Sequence, residues 1–505
     1  MVGNILNIST RIYTETVSIG DIKIGGNNPI KIQTMTNTKT HDITSTLNQI
    51  LELHSEGAEI IRIAINSKKD IESAIKIKNE LNKLKINIPI IADVHFSPIL
   101  AIESAKYFEK VRINPGNFLE SSLSHKKNLI TKKTLKEKFL NELISVCKEK
   151  KTAIRIGVNH GSLSWRIVEK FGHNYIALIE SAIEFTNYFE NKNFSNIVLS
   201  FKSSNVLQTI LSNIEYVKVF QKKEKIYPLH IGVTEAGTGI DAKIKSGLGV
   251  GILLLKGIGD TIRISLTDNP IYEIKECKKI LSAYNYLKQT HINNNPQLNI
   301  NSSFFQKLII QEKDINISFY KTKITDFTFN FPIFFYQLHN NEKNINEFNI
   351  FINNLKEENF YVFILVLGKI LFDELYKDIN IYSEESILQD AILLVEYVLH
   401  FLGIRSKFNE YISCPTCSRT TFNVQKVTEE IKEATKNFKN LKIAIMGCII
   451  NGPGEMKDAD YGYVGISTNK VALYKKGKQI MFNVDEKDAI SILVNIINKD
   501  LSESK

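Results

Sequence analysis

Short β-branched runs alternate with helix-period stretches over the first half of the chain. The apolar runs fall at residues 30–33, 60–65, 88–92, 111–113, 153–158, 197–201, 229–233 and 261–266. Each is short enough for a strand, and helical patterns at 46–54, 70–84, 135–148 and 176–185 lie between them. Such alternation requires parallel strands with helical crossovers. Eight βα units predict a TIM (β/α)8 barrel, an α/β fold.

Polar residues interrupt or close these runs. Gln33 and Met35 end the first, Arg62 lies in the second, and Asp93 and His95 follow the third. Arg112 and Asn114 close the fourth. Arg155 and Asn159 belong to the fifth, Lys202 to the sixth, Glu235 to the seventh, and Arg263 and Ser265 to the eighth. A charge inside an apolar strand is costly unless it is paired or faces a solvated site. Barrel enzymes place their chemistry at the C-terminal strand ends. Arg62, Arg112, Arg155, Lys202 and Arg263, with His95 as a sixth candidate cation, outnumber Asp93 and Glu235. A mouth of that sign suits a polyanion such as a diphosphate, whose oxygens match guanidinium forks. Glu235, set among small residues, is a candidate general acid.

The pattern changes after residue 289. Residues 293–296 and 299–303 read as a linker. Patterns at 303–310, 327–336 and 360–367 suggest strands, and 388–402 an amphipathic helix. This segment carries no motif with evident chemistry. From 406 a compact α/β unit follows, with a helix at 427–438, strands at 442–446, 462–467 and 470–475, and a helix at 486–498. The domains expected are therefore 1–289, an inserted spacer at 290–405, and 406–505.

The last of these carries Cys414-Pro-Thr-Cys417, then Cys448, then Glu455 in Asn451-Gly-Pro-Gly-Glu455. Two thiols from one turn and a third after a buried strand make a soft-metal site, either zinc or an iron–sulfur cluster. Glu455 could bring a fourth, weaker oxygen ligand. Cys147 and Cys277 sit in helical patterns and read as buried thiols. Five cysteines are too few for a disulfide framework, which points to a reducing compartment. The first twenty residues lack a signal-peptide pattern, and no apolar run reaches the ~18 residues of a membrane span. A cytoplasmic protein is expected. The formal charge is +10, yet no nucleic-acid motif accompanies it. From residues alone, a zinc-stabilised barrel enzyme acting on a sugar phosphate stays open beside an iron–sulfur reductase.

Taken together, the segments resemble the GcpE (IspG) family of 4-hydroxy-3-methylbut-2-enyl diphosphate synthases. The resemblance rests on Gln33-Thr-Met-Thr-Asn37, Ala92-Asp-Val-His-Phe96, Arg112-Ile-Asn-Pro-Gly-Asn117, Arg155-Ile-Gly-Val-Asn159, Gly232-Val-Thr-Glu-Ala-Gly237, Gly259-Asp-Thr-Ile-Arg-Ile-Ser-Leu266, Cys414-Pro-Thr-Cys-Ser-Arg419 and Gly447-Cys-Ile-Ile-Asn-Gly-Pro-Gly-Glu455. It implies a TIM barrel plus a C-terminal α+β iron–sulfur domain resembling part of sulfite reductase. It also implies a 4Fe–4S cluster on Cys414, Cys417, Cys448 and Glu455. The implied substrate is 2-C-methyl-D-erythritol 2,4-cyclodiphosphate of the methylerythritol phosphate isoprenoid pathway. Two electrons from reduced ferredoxin or flavodoxin would open the ring and remove a hydroxyl. Arg62, His95, Arg112, Arg155, Lys202, Arg263 and Ser265 would hold the diphosphate. Asp93 and Asn159 would orient the substrate, and Glu235 would protonate the departing hydroxyl. The chain looks like the long form, with an inserted domain shorter than is usual there. A homodimer is one arrangement that the resemblance implies.

Overall fold

The computed structural model describes residues 6, 8–119, 129–222, 225–289, 308–312, 315–321, 333–340, 345–352, 354–356, 358–449 and 452–503. A hairpin of β1 (Val17–Ile19) and β2 (Ile22–Ile24), not anticipated from sequence, comes first. All eight barrel strands follow: β3 (Lys31–Met35), β4 (Ile60–Ile65), β5 (Ile90–Val94), β6 (Lys110–Ile113), β7 (Ala153–Asn159), β8 (Ile197–Lys202), β9 (His230–Ile231) and β10 (Thr261–Ile262). Every pairing is parallel, in the order β8-β7-β6-β5-β4-β3-β10-β9, and a single Leu199–Leu229 bridge returns β8 to the start of β9. The last two strands are shorter than expected: Gly232, with φ 153°, follows β9, and the charged Arg263 follows β10.

Strands covered on both faces need continuous apolar sequence. Ile60, Ile61, Ile63, Ile90, Ile91, Ile154 and Ile156 supply it, each 1% exposed or less. Several crossover helices start at a side-chain cap, which satisfies an otherwise orphaned N–H. Asp42 caps helix Ile43–Ser55, Ser67 caps Lys68–Lys83, Asn174 caps Tyr175–Asn191 and Asn205 caps Val206–Gln221. Val17, Ile19 and Ile24 of the hairpin pack on Ile60, Ile91, Ala153 and Val198 near the N-terminal strand ends. The barrel floor is thereby closed, and the site is left to the opposite mouth.

The chain divides into two compact units. One comprises residues 1–11, 243–257 and 278–408. It contains β11 (Leu308–Glu312), β12 (Ile315–Lys321), β13 (Ile333–Asn340), β14 (Ile345–Ile352) and β15 (Asp378–Ser383), in the order β11-β12-β15-β14-β13. The run at 360–367, expected as a strand, is part of helix Glu358–Phe372. Tyr361 to Leu367 are all buried, so the helix is apolar all round, and a run without period cannot be told from a strand by pattern. Residues 303–307 and 327–332 of the other two expected strands, and the expected linker, lie outside the described residues; 308–310 and 333–336 are strand. The helix expected at 388–402 forms as Glu385–Phe401.

The other unit holds residues 12–242, 258–277 and 409–505, the barrel mouth and the cysteine region together. Its second sheet runs β16 (Glu410–Ser413), β17 (Lys442–Met446), β18 (Tyr461–Ser467), β19 (Lys470–Lys475) and β20 (Lys478–Asp485) in sequence order. Helices Val424–Thr435 and Glu486–Glu503 cover one face through Val427, Ile431, Leu493 and Ile497. Strand β16 is short and β20 largely exposed, so neither gave an apolar signal. Among the described residues no helix is long and apolar enough to cross a membrane.

Candidate active site

Strand register builds the site. Asp93 of β5 stands opposite Arg112 of β6, which stands opposite Arg155 of β7. Residues in register on neighbouring strands share a face, so three charged side chains enter the barrel at one level. Asn159 of β7 is likewise opposite Lys202 of β8. One cavity is lined by Arg62, Asp93, His95, Arg112, Arg155, Asn159, Lys202, Glu235, Arg263 and Ser265 from the barrel and by Cys414, Cys417 and Cys448 from the second sheet. Glu455 does not line it, nor do Gln33 and Asn114 from the strand ends.

Arg112, Arg155, Lys202 and Arg263 are buried and Arg62 is half-buried, and their charge is incompletely neutralised. Arg155 is 2% exposed, and its Nε has no hydrogen-bond partner. Burial, then the neighbouring arginines Arg62 and Arg112, draws the Arg155 guanidinium down from its usual range; Arg62 is drawn to about 10, chiefly by burial. Burial and then Arg155 depress Lys202, whose Nζ meets His230 Nε2 at 3.1 Å. An anion entering here would relieve that repulsion and restore the favoured charged forms. Arg112 crosses Gly157, where a Cβ would lie 2.6 Å from its Nε, and its NH2 donates to the Gly157 carbonyl at 3.1 Å.

Two corrections arise here. His95 is not a sixth cation: burial and then Arg112 pull its imidazole down to about 3, so it is neutral at neutral pH. It contacts Arg112 and lies 3.1 Å from the Asn117 amide. Secondly, the carboxylate tally omitted Glu273, which accepts from Arg263 Nε at 3.1 Å and NH2 at 2.9 Å. Glu273 lies in the first turn of helix Pro270–Gln289, where acidic residues are common for reasons of helix dipole alone. Asp93 stays ionised: burial opposes this, but Arg62, Arg112 and His95 hold its carboxyl well below the usual range.

Glu235 is 4% exposed and has a left-handed backbone, φ 49°. A non-glycine residue there is strained, and such strain gathers at working sites. Its Oε2 has no hydrogen-bond partner, and burial raises its carboxyl above the usual range.

The cysteine loop is tied directly to the barrel. Asn37 Nδ2 donates to Thr416 Oγ1 at 3.1 Å, Asn66 Nδ2 to Ser418 Oγ at 3.1 Å, and Lys39 to the Ser418 carbonyl. Thr267 Oγ1 donates to the Ser413 and Cys414 carbonyls at 3.0 and 3.1 Å. Arg419, within the matched motif but not singled out as a site residue, reaches Asp93 and Asn66. A second contact joins the Gly452–Glu455 helix to the loop after β7. A Cβ on Gly454 would lie 1.2 Å from the Gly161 carbonyl oxygen, so only glycine fits. Next to it, His160 Nδ1 and His173 Nδ1 approach different oxygens of Asp458 at 3.0 and 3.4 Å. This trio is compact enough for a metal ion, but each imidazole already has its own carboxylate oxygen. It is a latch, and despite burial the two histidines keep the Asp458 carboxyl well below its usual range.

The thiol set suits an iron–sulfur cluster. No disulfide joins the cysteines. The Gly447 N–H donates to Cys414 Sγ at 3.2 Å, the type of bond that supports a cluster thiolate. Burial and then Cys448 push the Cys414 thiol up, so a bound metal would have to displace its proton. Glu455, 3% exposed, accepts from Ser204 Oγ at 3.0 Å and lies against Gly161. Burial and the charge of Glu235 raise its carboxyl. Cys147 and Cys277 are buried as expected, each thiol pushed up to about 12 by burial.

Residues 14–278 match the GcpE TIM-barrel domain and residues 410–499 the GcpE protein C-terminal domain. Proteins named 4-hydroxy-3-methylbut-2-en-1-yl diphosphate synthase (flavodoxin) align along nearly the whole chain. That of Bacteroides fragilis (strain YCH46) is 31% identical, covering 99% of this chain and 98% of its own. That of Phocaeicola vulgatus is 32% identical over 99% and 100%, and that of Akkermansia muciniphila 33% over 97% of each. The first alignment runs over 613 residues against 505 in this chain, so that relative carries stretches this chain lacks. Both domain matches keep the barrel and the cysteine region in the order found here, and the chain belongs to the GcpE family.

Proposed function

We propose that this chain reduces 2-C-methyl-D-erythritol 2,4-cyclodiphosphate to 4-hydroxy-3-methylbut-2-enyl diphosphate, in the methylerythritol phosphate route to isoprenoids. One observation carries the reading: a cationic barrel mouth and three cysteines line the same cavity. Two electrons and one proton open the cyclic diphosphate at carbon and release the neighbouring hydroxyl as water.

Arg62, Arg112, Arg155, Lys202, Arg263 and Ser265 bind the diphosphate, with neutral His95 as a further hydrogen-bonding group. Forked guanidiniums fix both phosphoryl groups and so the orientation of the carbon skeleton. Asp93, held ionised, and Asn159 position the substrate hydroxyls. Glu235, whose carboxyl burial raises above its usual range, gives its proton to the hydroxyl that leaves. Cys414, Cys417 and Cys448, with Glu455 of the Gly452–Glu455 helix, would hold a 4Fe–4S cluster. When bound, that cluster supplies the electrons one at a time. Relatives are named for flavodoxin, and reduced flavodoxin is the donor proposed here, with ferredoxin as its chemical equivalent.

The test is anaerobic purification followed by iron and sulfide assay and turnover of the cyclodiphosphate with a chemical reductant. About four irons and four sulfides per chain are expected, with the linear allylic diphosphate seen by phosphorus NMR. A colourless protein carrying about one zinc, as a structural site does, and no turnover would overturn the proposal.

A further inference from the structure

Arg419 lines the cavity, and the mechanism above gives it no task. Arg419 follows Cys417 by two residues and extends from the cysteine loop into the barrel mouth. Its Nε donates to Asn66 Oδ1 at 2.7 Å and its NH2 to the Asp93 carbonyl at 3.1 Å; its NH1 lies 3.4 Å from Asp93 Oδ2. The side chain is 8% exposed and lines the cavity. On the other side of that carboxylate, Asp93 Oδ1 faces Arg112 NH1 at 3.4 Å. One aspartate at the end of β5 thus lies between an arginine of the barrel and an arginine of the cysteine loop.

We infer that Arg419 is a positioning residue that couples anion binding in the barrel to electron affinity at the thiol centre. The inference rests on the iron–sulfur reading above. Two physical effects act through the one guanidinium. Its fixed positive charge shares the cavity with Cys417 and Cys448, and a nearby cation favours the more negative, reduced state of a cluster. Its planar fork spans Asp93 and Asn66, a geometry that a lysine cannot reproduce. Asp93 transmits the barrel's state: a diphosphate drawn onto Arg112 competes with Asp93 for that arginine and leaves the carboxylate more fully to Arg419. A Ser or Gly at 419 would keep the loop's backbone and lose both effects.

Two variants separate charge from geometry. R419Q removes the charge, and R419K keeps the charge without the fork. The potential of the cluster is read by EPR during anaerobic redox titration, with and without inorganic pyrophosphate as the anion probe. KM and kcat for the cyclodiphosphate are read separately. Expected for R419Q is a tenfold lower ratio of reduced to oxidised cluster at fixed poise, which is ~59 mV for one electron, and no response to pyrophosphate. Expected for R419K is a potential like that of the wild type with KM raised tenfold or more. R419Q with full iron content and an unchanged potential would overturn the inference. Should R419Q fail to hold iron, R419K decides alone: an unchanged KM and a normal pyrophosphate response overturn it. A wild-type protein without any iron–sulfur cluster would instead remove the reading beneath it, an outcome the iron assay distinguishes.

Discussion

Glu235 combines three properties that seldom coincide. It is buried, it has an unpartnered oxygen, and its backbone is held in the left-handed region. An ordinary surface carboxylate has none of these, and the cost of all three is sustained only where the rest of the site enforces them. Glu235→Gln keeps the shape and removes the transferable proton. Expected is a fall in kcat of ~100- to 10,000-fold, the usual worth of a positioned acid, with iron content and substrate KM nearly unchanged. Because burial raises this carboxyl, the protonated form persists to higher pH than for a free glutamate. Activity should therefore decline as pH rises through the raised value, and the glutamine variant should lack that limb. Full turnover by Glu235→Gln would assign the proton to another group. The residues legible in sequence were those whose charge breaks an apolar strand, as Arg62, Arg112, Arg155 and Lys202 do. Glu273 and Ser204 were not, because each sits where a polar residue is unremarkable; His230 does break the apolar run 229–233, but only the fold shows its 3.1 Å approach to Lys202 Nζ. The identity of His95 was legible but its charge was not, since burial and Arg112 set it.

At the scale of elements, apolar period located all eight barrel strands, yet it missed β16 and β20 and misassigned helix Glu358–Phe372. The difference is physical. Alternation between strand and helix leaves a signal when each element has a fixed environment; an exposed strand or a helix buried on all sides has no contrasting face. The seam between the Gly452–Glu455 helix and the β7 loop was invisible for another reason, since backbone approaching backbone leaves no side-chain pattern. It makes an ordered prediction. Gly454→Ala puts a methyl group on the Gly161 carbonyl, which cannot move freely, whereas the nearest atoms to a Gly161→Ala methyl belong to the Glu455 side chain. Gly454→Ala should cost about 1–3 kcal/mol of stability, as overpacking does, and lower turnover at least tenfold. Gly161→Ala should be milder in thermal denaturation, because a side chain can shift where a backbone carbonyl cannot, but it too should lower turnover, since the side chain it displaces is that of Glu455. Equal stability of the two variants would mean that the seam is looser than drawn.

For the molecule as a whole, the barrel mouth and the cysteine sheet belong to one compact unit although residues 278–408 intervene in the chain. With the proposed cluster in place, the barrel would cover it on one side, and the donor would dock from the other. The chain carries a formal charge of +10, and flavodoxins and ferredoxins are acidic, so long-range attraction should set the rate of encounter. That contribution is screened over ~10 Å at 0.1 M salt. The rate constant for electron transfer from reduced flavodoxin, measured by stopped flow with donor limiting, should fall at least tenfold between about 20 and 300 mM salt, within the range found for steered association. Reduced methyl viologen is a cation and is not attracted by the same surface. Its rate should stay level or rise over the same interval, which controls for salt acting on the cluster itself. Parallel declines for both donors would place the salt effect at the cluster or the substrate site. A flat flavodoxin profile would mean that docking rests on a neutral patch, with the chain's net charge irrelevant to electron delivery.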